Sequence, residues 1–166
     1  MTKIYKWKTS DKWLYALSMV PFVTVFVGTA WLLSLYSIYL TLTLIGLFLI
    51  VNVFQAGCCV GCPYRGHYCP ALCGVYLGNL LSVLLYRNRK NEPRLFHINA
   101  SFGESILFIT MLFPVYWVYI TGWWYLILYA FLLLTHFTIF MSTQCGKCSY
   151  NHTCPGGKFW CDLMSS

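Results

Sequence analysis

Two long stretches of this chain carry no charge. Trp13 to Tyr64 contains no Asp, Glu, Lys or Arg, and neither does Ser105 to Gly146. A helix that spans a bilayer needs roughly 20 apolar residues. Each stretch therefore predicts two helices, near 13–35 and 37–57 in the first and near 105–121 and 123–143 in the second. Thr121-Gly122 marks the turn of the second pair, and a weaker signal near Ser34 to Ser37 marks the turn of the first. Pro21 and Pro114 fall inside the first helix of each pair, where a spanning helix tolerates proline. The first stretch is too long for a signal-peptide core and has no small-residue cleavage site, so it is expected to be retained.

Ala71 to Tyr86 is a further apolar stretch, short for a span. If it crossed the membrane, Lys3, Lys6, Lys8, Lys12 and Arg65 would lie on one side. Arg87, Arg89, Lys90, Arg94, Lys147 and Lys158 would lie on the other. If it does not cross, all 11 basic residues share one side, which is the distribution the positive-inside rule favours. Gly74, Gly78 and Ser82 also place small residues on one helical face, suited to packing on a neighbour. The expected fold is an all-α membrane protein with four transmembrane helices arranged as two repeated hairpins, plus one short interfacial or re-entrant helix. The whole chain, 1–166, reads as one membrane domain. Repeat one covers 13–73, the interfacial helix 71–86, a basic loop 87–99, and repeat two 104–161. The expected location is the inner (cytoplasmic) membrane, with both termini and both cysteine clusters cytoplasmic. Trp123-Trp124-Tyr125 would sit at the opposite interface and Trp7 and Trp13 near the cytoplasmic one.

Composition agrees. The chain is 59% hydrophobic and 9% charged, against about 25% charged in a soluble domain. The net charge of +7 orients the helices, and the run from Arg87 to Arg94 offers contact with anionic lipid. Nucleic acid is not an expected partner for so small a hydrophilic portion. Asp11, Glu92, Glu104 and Asp162 are scattered and form no paired-carboxylate site, and neither a phosphate-cradling glycine loop nor a serine triad occurs.

The candidate chemistry lies in a cysteine cluster that occurs twice. The first reads Cys59-Val-Gly-Cys62-Pro-Tyr64-Arg-Gly-His67-Tyr-Cys69-Pro70, followed by Cys73. The second reads Cys145-Gly-Lys-Cys148-Ser-Tyr150-Asn-His152-Thr-Cys154-Pro155, followed by Cys161. Phe54 and Phe140 stand at matching places before them. Nine cysteines is an odd number, and a cytoplasmic face is reducing, so structural disulfides are not expected. On that face the Asn99-Ala-Ser101 and Asn151-His-Thr153 glycosylation patterns would be inert.

Two quartets, Cys59, Cys62, Cys69, Cys73 and Cys145, Cys148, Cys154, Cys161, leave Cys58 over. Alternatively, Cys58 replaces Cys59. A four-cysteine zinc ribbon separates its pairs by about 15–20 residues. The compact spacing here, C-x2-C-x6-C-x3-C and C-x2-C-x5-C-x6-C, suits a cubane better, because each thiolate takes its own corner. Cys62, Cys69 and Cys154 precede proline, a pair that recurs in ferredoxin motifs. The expected cofactors are two [4Fe–4S] clusters, with two zinc ions as the alternative.

Cys145-Gly-Lys-Cys148-x5-Cys154-Pro-Gly-Gly157 resembles the auxiliary [4Fe–4S] motif of radical-SAM maturases. Cys58-x3-Cys62-Pro63, at the end of a helical hairpin, resembles the membrane-bound ferredoxins of the nitrate- and nitrous-oxide-reduction type, which have four helices. The second half has no C-x3-C-P, and the appended ferredoxin domains of that group are missing. The resemblance implies redox work at a cytoplasmic membrane face.

His67 and His152 occupy matching places and are candidates for contact with the cluster sulfurs or for ligation, as is Cys58. Tyr64 and Tyr150 would shield the two sites. His136 lies inside the fourth helix, where an interhelical hydrogen bond is the first expectation and quinone contact the sharper one. Glu104 is expected in the first turn of the third helix, stabilised by the helix dipole, with proton exchange with a quinol as the alternative. The expected function is electron transfer, as a subunit more than a complete enzyme. A cytoplasmic redox protein or membrane redox subunits would be partners, with a quinone as a further candidate. The rivals are a structural adaptor with two zinc sites and a thiol-based enzyme or metal-handling protein. The charge distribution makes a direct prediction. A reporter at Lys90 will lie on the same side as both termini, and an opposite location would mean that Ala71 to Tyr86 spans.

Overall fold

A computed structural model of the chain describes residues 5–62, 64–65, 67–69, 81–88, 93–148 and 154–164. The described residues are helical, without strands. Six helices follow in order: α1 (Thr9–Tyr36), α2 (Ile38–Gly61), α3 (Pro93–Leu112), α4 (Val115–Thr121), α5 (Trp123–Thr143) and α6 (Pro155–Met164). Residues 81–85 are also helical, and Cys145–Lys147 forms a 3₁₀ turn after α5. Four segments are long and apolar enough to cross a membrane: Thr9–Tyr36, Ile38–Val60, Phe96–Thr121 and Trp123–Lys147. Their outward faces carry large apolar side chains, among them Trp31, Leu35, Tyr39, Phe108, Trp124 and Leu134.

The hairpin turns are one residue long. Ser37 is extended, and its Oγ accepts from the Tyr39 N–H, capping α2. Gly122 has φ +157°, and a Cβ there would meet the Tyr125 ring at 3.2 Å, so glycine is required. Tyr36 Oη and Thr121 Oγ1 lie 2.9 Å apart, which holds the two turns at one end of the bundle. Pro114 separates α3 from α4 because it lacks the N–H that continues a helix. The Tyr129 hydroxyl of α5 donates to the Met111 carbonyl at that break, at 2.6 Å.

Within the bundle, α2 packs on α3 and α5 packs on α1, while α1–α2 and α4–α5 form the sequential pairs. Phe22, Val51 and Leu107 bring α1, α2 and α3 together, with Met19, Phe48 and Leu133 against them. The α2–α3 seam is lined by Ala56, Gly57, Ala100 and Gly103, all buried, so the backbones approach closely. On the α1–α5 seam, His136 is fully buried, and its Nδ1 lies 2.6 Å from the Ser18 carbonyl. A carbonyl only accepts, so Nδ1 carries the proton. The interhelical bond expected for His136 is therefore present.

The boundaries differ from the sequence reading in several places. α2 runs on to Gly61, past the expected end at residue 57. α1 begins at Thr9, because Asp11 Oδ2 accepts from the Lys8 N–H and caps a polar first turn. α3 begins at Pro93, so residues 93–99 are helix rather than basic loop. Glu104 consequently sits well inside α3, beyond the reach of a first-turn dipole effect. Most of the expected interfacial helix, 71–80, lies outside the described residues.

A Cβ at Gly57 would come within 2.5 Å of the Asn99 side chain. Gly57→Ala is expected to cost about 1–3 kcal/mol by overpacking the α2–α3 seam. Adding Asn99→Ala should recover part of that loss, as read from thermal unfolding in detergent.

Candidate functional site

The thiols gather at the end of the bundle opposite the two turns. α2 delivers Cys58 and Cys59 in its last turn, and Cys62 is its C-cap, with its N–H bonded to the Cys59 carbonyl at 3.3 Å. The chain then turns through Arg65, whose N–H bonds to the Cys62 carbonyl at 3.1 Å. Tyr64 is 2% exposed, and its hydroxyl accepts from the Tyr5 N–H at 3.1 Å. Arg65 Nη2 donates to the carbonyls of Tyr86, at 2.7 Å, and Ser82, at 3.4 Å, and so fixes residues 82–86 to the first cysteine loop.

The second set follows α5. Gln144 caps that helix, and the 3₁₀ turn places Cys145 and Cys148, whose N–H bonds to the Gln144 carbonyl at 3.1 Å. Cys145 Sγ donates to Met141 Sδ at 3.4 Å. Cys154 stands just before α6, and its carbonyl accepts from the Lys158 N–H at 2.8 Å. Cys161 lies within α6, which packs on the 3₁₀ turn and on α3.

The two sets meet. Cys62 and Cys69 of the first lie within electrostatic reach of Cys148 and Cys154 of the second. Cys58 reaches Cys154 and Glu104, and Cys145 reaches Cys148, Cys154, Cys161 and Glu104. Cys154 is common to all four groupings. The eight described cysteines are reduced and half-buried. Burial pushes the Cys62 thiol up to about 12, opposed by a hydrogen bond from the Tyr64 N–H, with Cys59, Cys148 and Cys154 adding to the rise. Burial likewise raises Cys69 well above its usual value, and the same neighbours contribute. Both are therefore protonated near neutral pH, and any metal they bind must displace those protons.

Among the described residues, no group of three or more His, Cys, Asp or Glu side chains is arranged to hold a metal ion. Cys73, Tyr150 and His152 lie outside the described residues. His67 is exposed beside the first loop. Cys58 turns toward α3, and its thiol points at the Phe96 carbonyl 3.9 Å away, whereas Cys59 lies within electrostatic reach of Arg65. Glu104 is exposed and lies within electrostatic reach of Cys58 and Cys145. His136 stays apart from them, packed among Phe22, Phe137 and Phe140.

Sequence reasoning missed the clasp that joins the two sets. Asp11 accepts from Lys147 Nζ at 2.6 Å, from the Tyr5 hydroxyl at 3.1 Å and from the Lys8 N–H at 3.0 Å. Gln144 Nε2 donates to the Asp11 carbonyl at 3.2 Å. The segment Tyr5–Asp11 thus touches Tyr64 of the first loop and Gln144 and Lys147 of the second. The one signal in the sequence was an acidic residue among lysines just before an apolar run. Comparison of the chain with family models, with curated proteins and with solved structures returns no match.

The clasp can be tested in metal-free, reduced protein. Asp11→Asn should release Lys147 and raise the maleimide reactivity of Cys145 and Cys148 several-fold, whereas Lys158→Gln should leave it unchanged.

Proposed function

We propose that this chain is an integral membrane protein of two repeated hairpins that carries two [4Fe–4S] clusters on its cytoplasmic face and transfers single electrons. Cys59, Cys62, Cys69 and Cys73 would hold one cluster, and Cys145, Cys148, Cys154 and Cys161 the other. The observation that carries this reading is the meeting of both cysteine sets at one end of the bundle, with Cys62 and Cys69 in electrostatic reach of Cys148 and Cys154. Sites that close permit exchange between them. The donor set fits iron, since clustered thiolates are the usual ligands of such clusters.

The packing supports the repeat. Exchanging the two hairpins maps the α2–α3 contact onto the α5–α1 contact, and the turn at Ser37 onto that at Gly122. The apolar outer faces support membrane insertion, because a soluble protein rarely exposes so continuous an apolar surface. A cluster, when bound, supplies a one-electron carrier. The protein part holds its thiolates, excludes water with Tyr64 and the α6 cover, and offers an open face to a redox partner. That partner is a cytoplasmic redox protein or a membrane redox subunit, so the chain acts as one component of a larger pathway.

Protein purified without oxygen should be brown, absorb broadly near about 400 nm, and contain iron and acid-labile sulfide. Cys148→Ser should remove about half of both, because one of two thiolate sets is broken. Cys58→Ser should do little. If Cys58→Ser empties the first site instead, its ligand set is Cys58 and Cys62 with the later cysteines. Colourless protein with stoichiometric zinc and no sulfide would exclude electron transfer and leave a zinc-clamped adaptor.

A further inference from the structure

A cavity of about 350 Å³ lies between the N-terminal segment and the first cysteine loop. That volume falls within the range of small-ligand sites. Tyr5, Trp7, Tyr64 and Tyr68 wall it, and Lys6, Lys12 and His67 line it too. Its chemistry is unbalanced. Trp7 Nε1 is buried with no hydrogen-bond partner, and a buried donor left unpaired is costly. Lys12 Nζ lies 5.0 Å from the centre of the Tyr68 ring, which attracts it without neutralising it. The described ion pair nearby joins Asp11 to Lys147. Asp11 also accepts from Tyr5 and Lys8, so its carboxylate is committed elsewhere. Neither Lys6 nor Lys12 has an ion-pair partner among the described residues.

We propose that this cavity binds a phosphate group. Two lysines without an ion-pair partner among the described residues line a space whose described lining contains no carboxylate. An anion with several oxygens and more than one negative charge matches that set. Lys6 and Lys12 supply the counter-charge, and Trp7 and the tyrosines form the walls. The phosphate belongs either to the headgroup of an anionic lipid or to a soluble phospho-compound. The cavity stands beside the first turn of α1, just before its uncharged stretch begins at Trp13. Tyr64, His67 and Tyr68 all lie between Cys62 and Cys69. A bound phosphate therefore fastens the first cysteine loop onto the N-terminal segment. The inference stands apart from what the cysteines bind.

The test uses the full chain in a neutral detergent, followed by calorimetric titration with two probes, dioctanoyl phosphatidic acid and inorganic phosphate. Phosphatidic acid should bind. Lys6→Gln and Lys12→Gln should each weaken it about tenfold, the worth of one charge-assisted hydrogen bond. Lys12→Arg should retain binding, and Lys158→Gln, distant from the cavity, should not alter it. Lys6 is exposed, so its variant reports on charge without risk to the fold. Inorganic phosphate bound as tightly, with the same dependence on these residues, assigns the site to a soluble phosphate. Tighter phosphatidic acid assigns it to lipid. Failure of both probes to bind overturns the proposal. So does equal weakening by Lys158→Gln, which would reduce the effect to diffuse attraction. Iron content plays no part in the reading, so this result and the cluster measurement fail or succeed separately.

Discussion

Asp11 is 2% exposed, yet it lies in the first turn of a helix that soon becomes wholly apolar. A carboxylate so placed is tolerated only if its lost hydration is replaced. Three donors replace it: the Lys147 ammonium, the Tyr5 hydroxyl and the Lys8 N–H. Two come from the N-terminal segment and one from the second cysteine set. Lys147 belongs to the second cysteine set, and Tyr5 hydrogen-bonds through its N–H to Tyr64 in the first. The same carboxylate caps α1 and starts the helix at Thr9. One buried charge therefore fixes the helix start, orders the N-terminal segment and brings two loops together. Its loss would leave Lys147 free and Gln144 as the remaining tie to α1.

The rest of the bundle is held by contacts suited to an apolar surround. Within a bilayer, hydrophobic burial would give little net drive between helices, so close packing and internal hydrogen bonds would take over. The two main seams solve this differently. The α2–α3 seam uses Ala56, Gly57, Ala100 and Gly103 to bring backbones together. The α1–α5 seam uses Ser18 and His136. Ser18 Oγ donates to its own helix, at the Tyr15 carbonyl, which leaves the Ser18 carbonyl to accept from His136. The two seams are therefore made by different kinds of residue.

The sequence was most legible where a single residue type forces a local geometry. The α5 range, Trp123–Thr143, matches the expected one because Gly122 can turn where other residues cannot. The expected starts of α1 and the third helix were late for one reason. Thr9, Ser10 and Lys12, like Arg94, His97 and Asn99, are polar residues on turns that remain helical past the edge of the apolar run. Hydropathy locates where a helix leaves apolar surroundings, not where its hydrogen bonding stops. The Asp11–Lys147 pair spans nearly the whole chain and carries no periodic signal, so only the folded arrangement reveals it. The cysteine loops were legible as a repeat, but their meeting at Cys154 was not, because it depends on how the hairpins pack.

That meeting sets an electrostatic demand. Cys62 and Cys69 are pushed toward the neutral thiol first by burial and then by neighbouring cysteines. Deprotonating several of them together would crowd negative charge at one end of the bundle. Glu104, within reach of Cys58 and Cys145, adds to that crowding. Arg65 opposes it at Cys59, but its guanidinium is also held by the carbonyls of Ser82 and Tyr86. Lys147 is committed to Asp11. Arg65 and Lys147 are therefore only partly available to balance a full set of thiolates. A metal centre supplies positive charge among the sulfurs and displaces their protons.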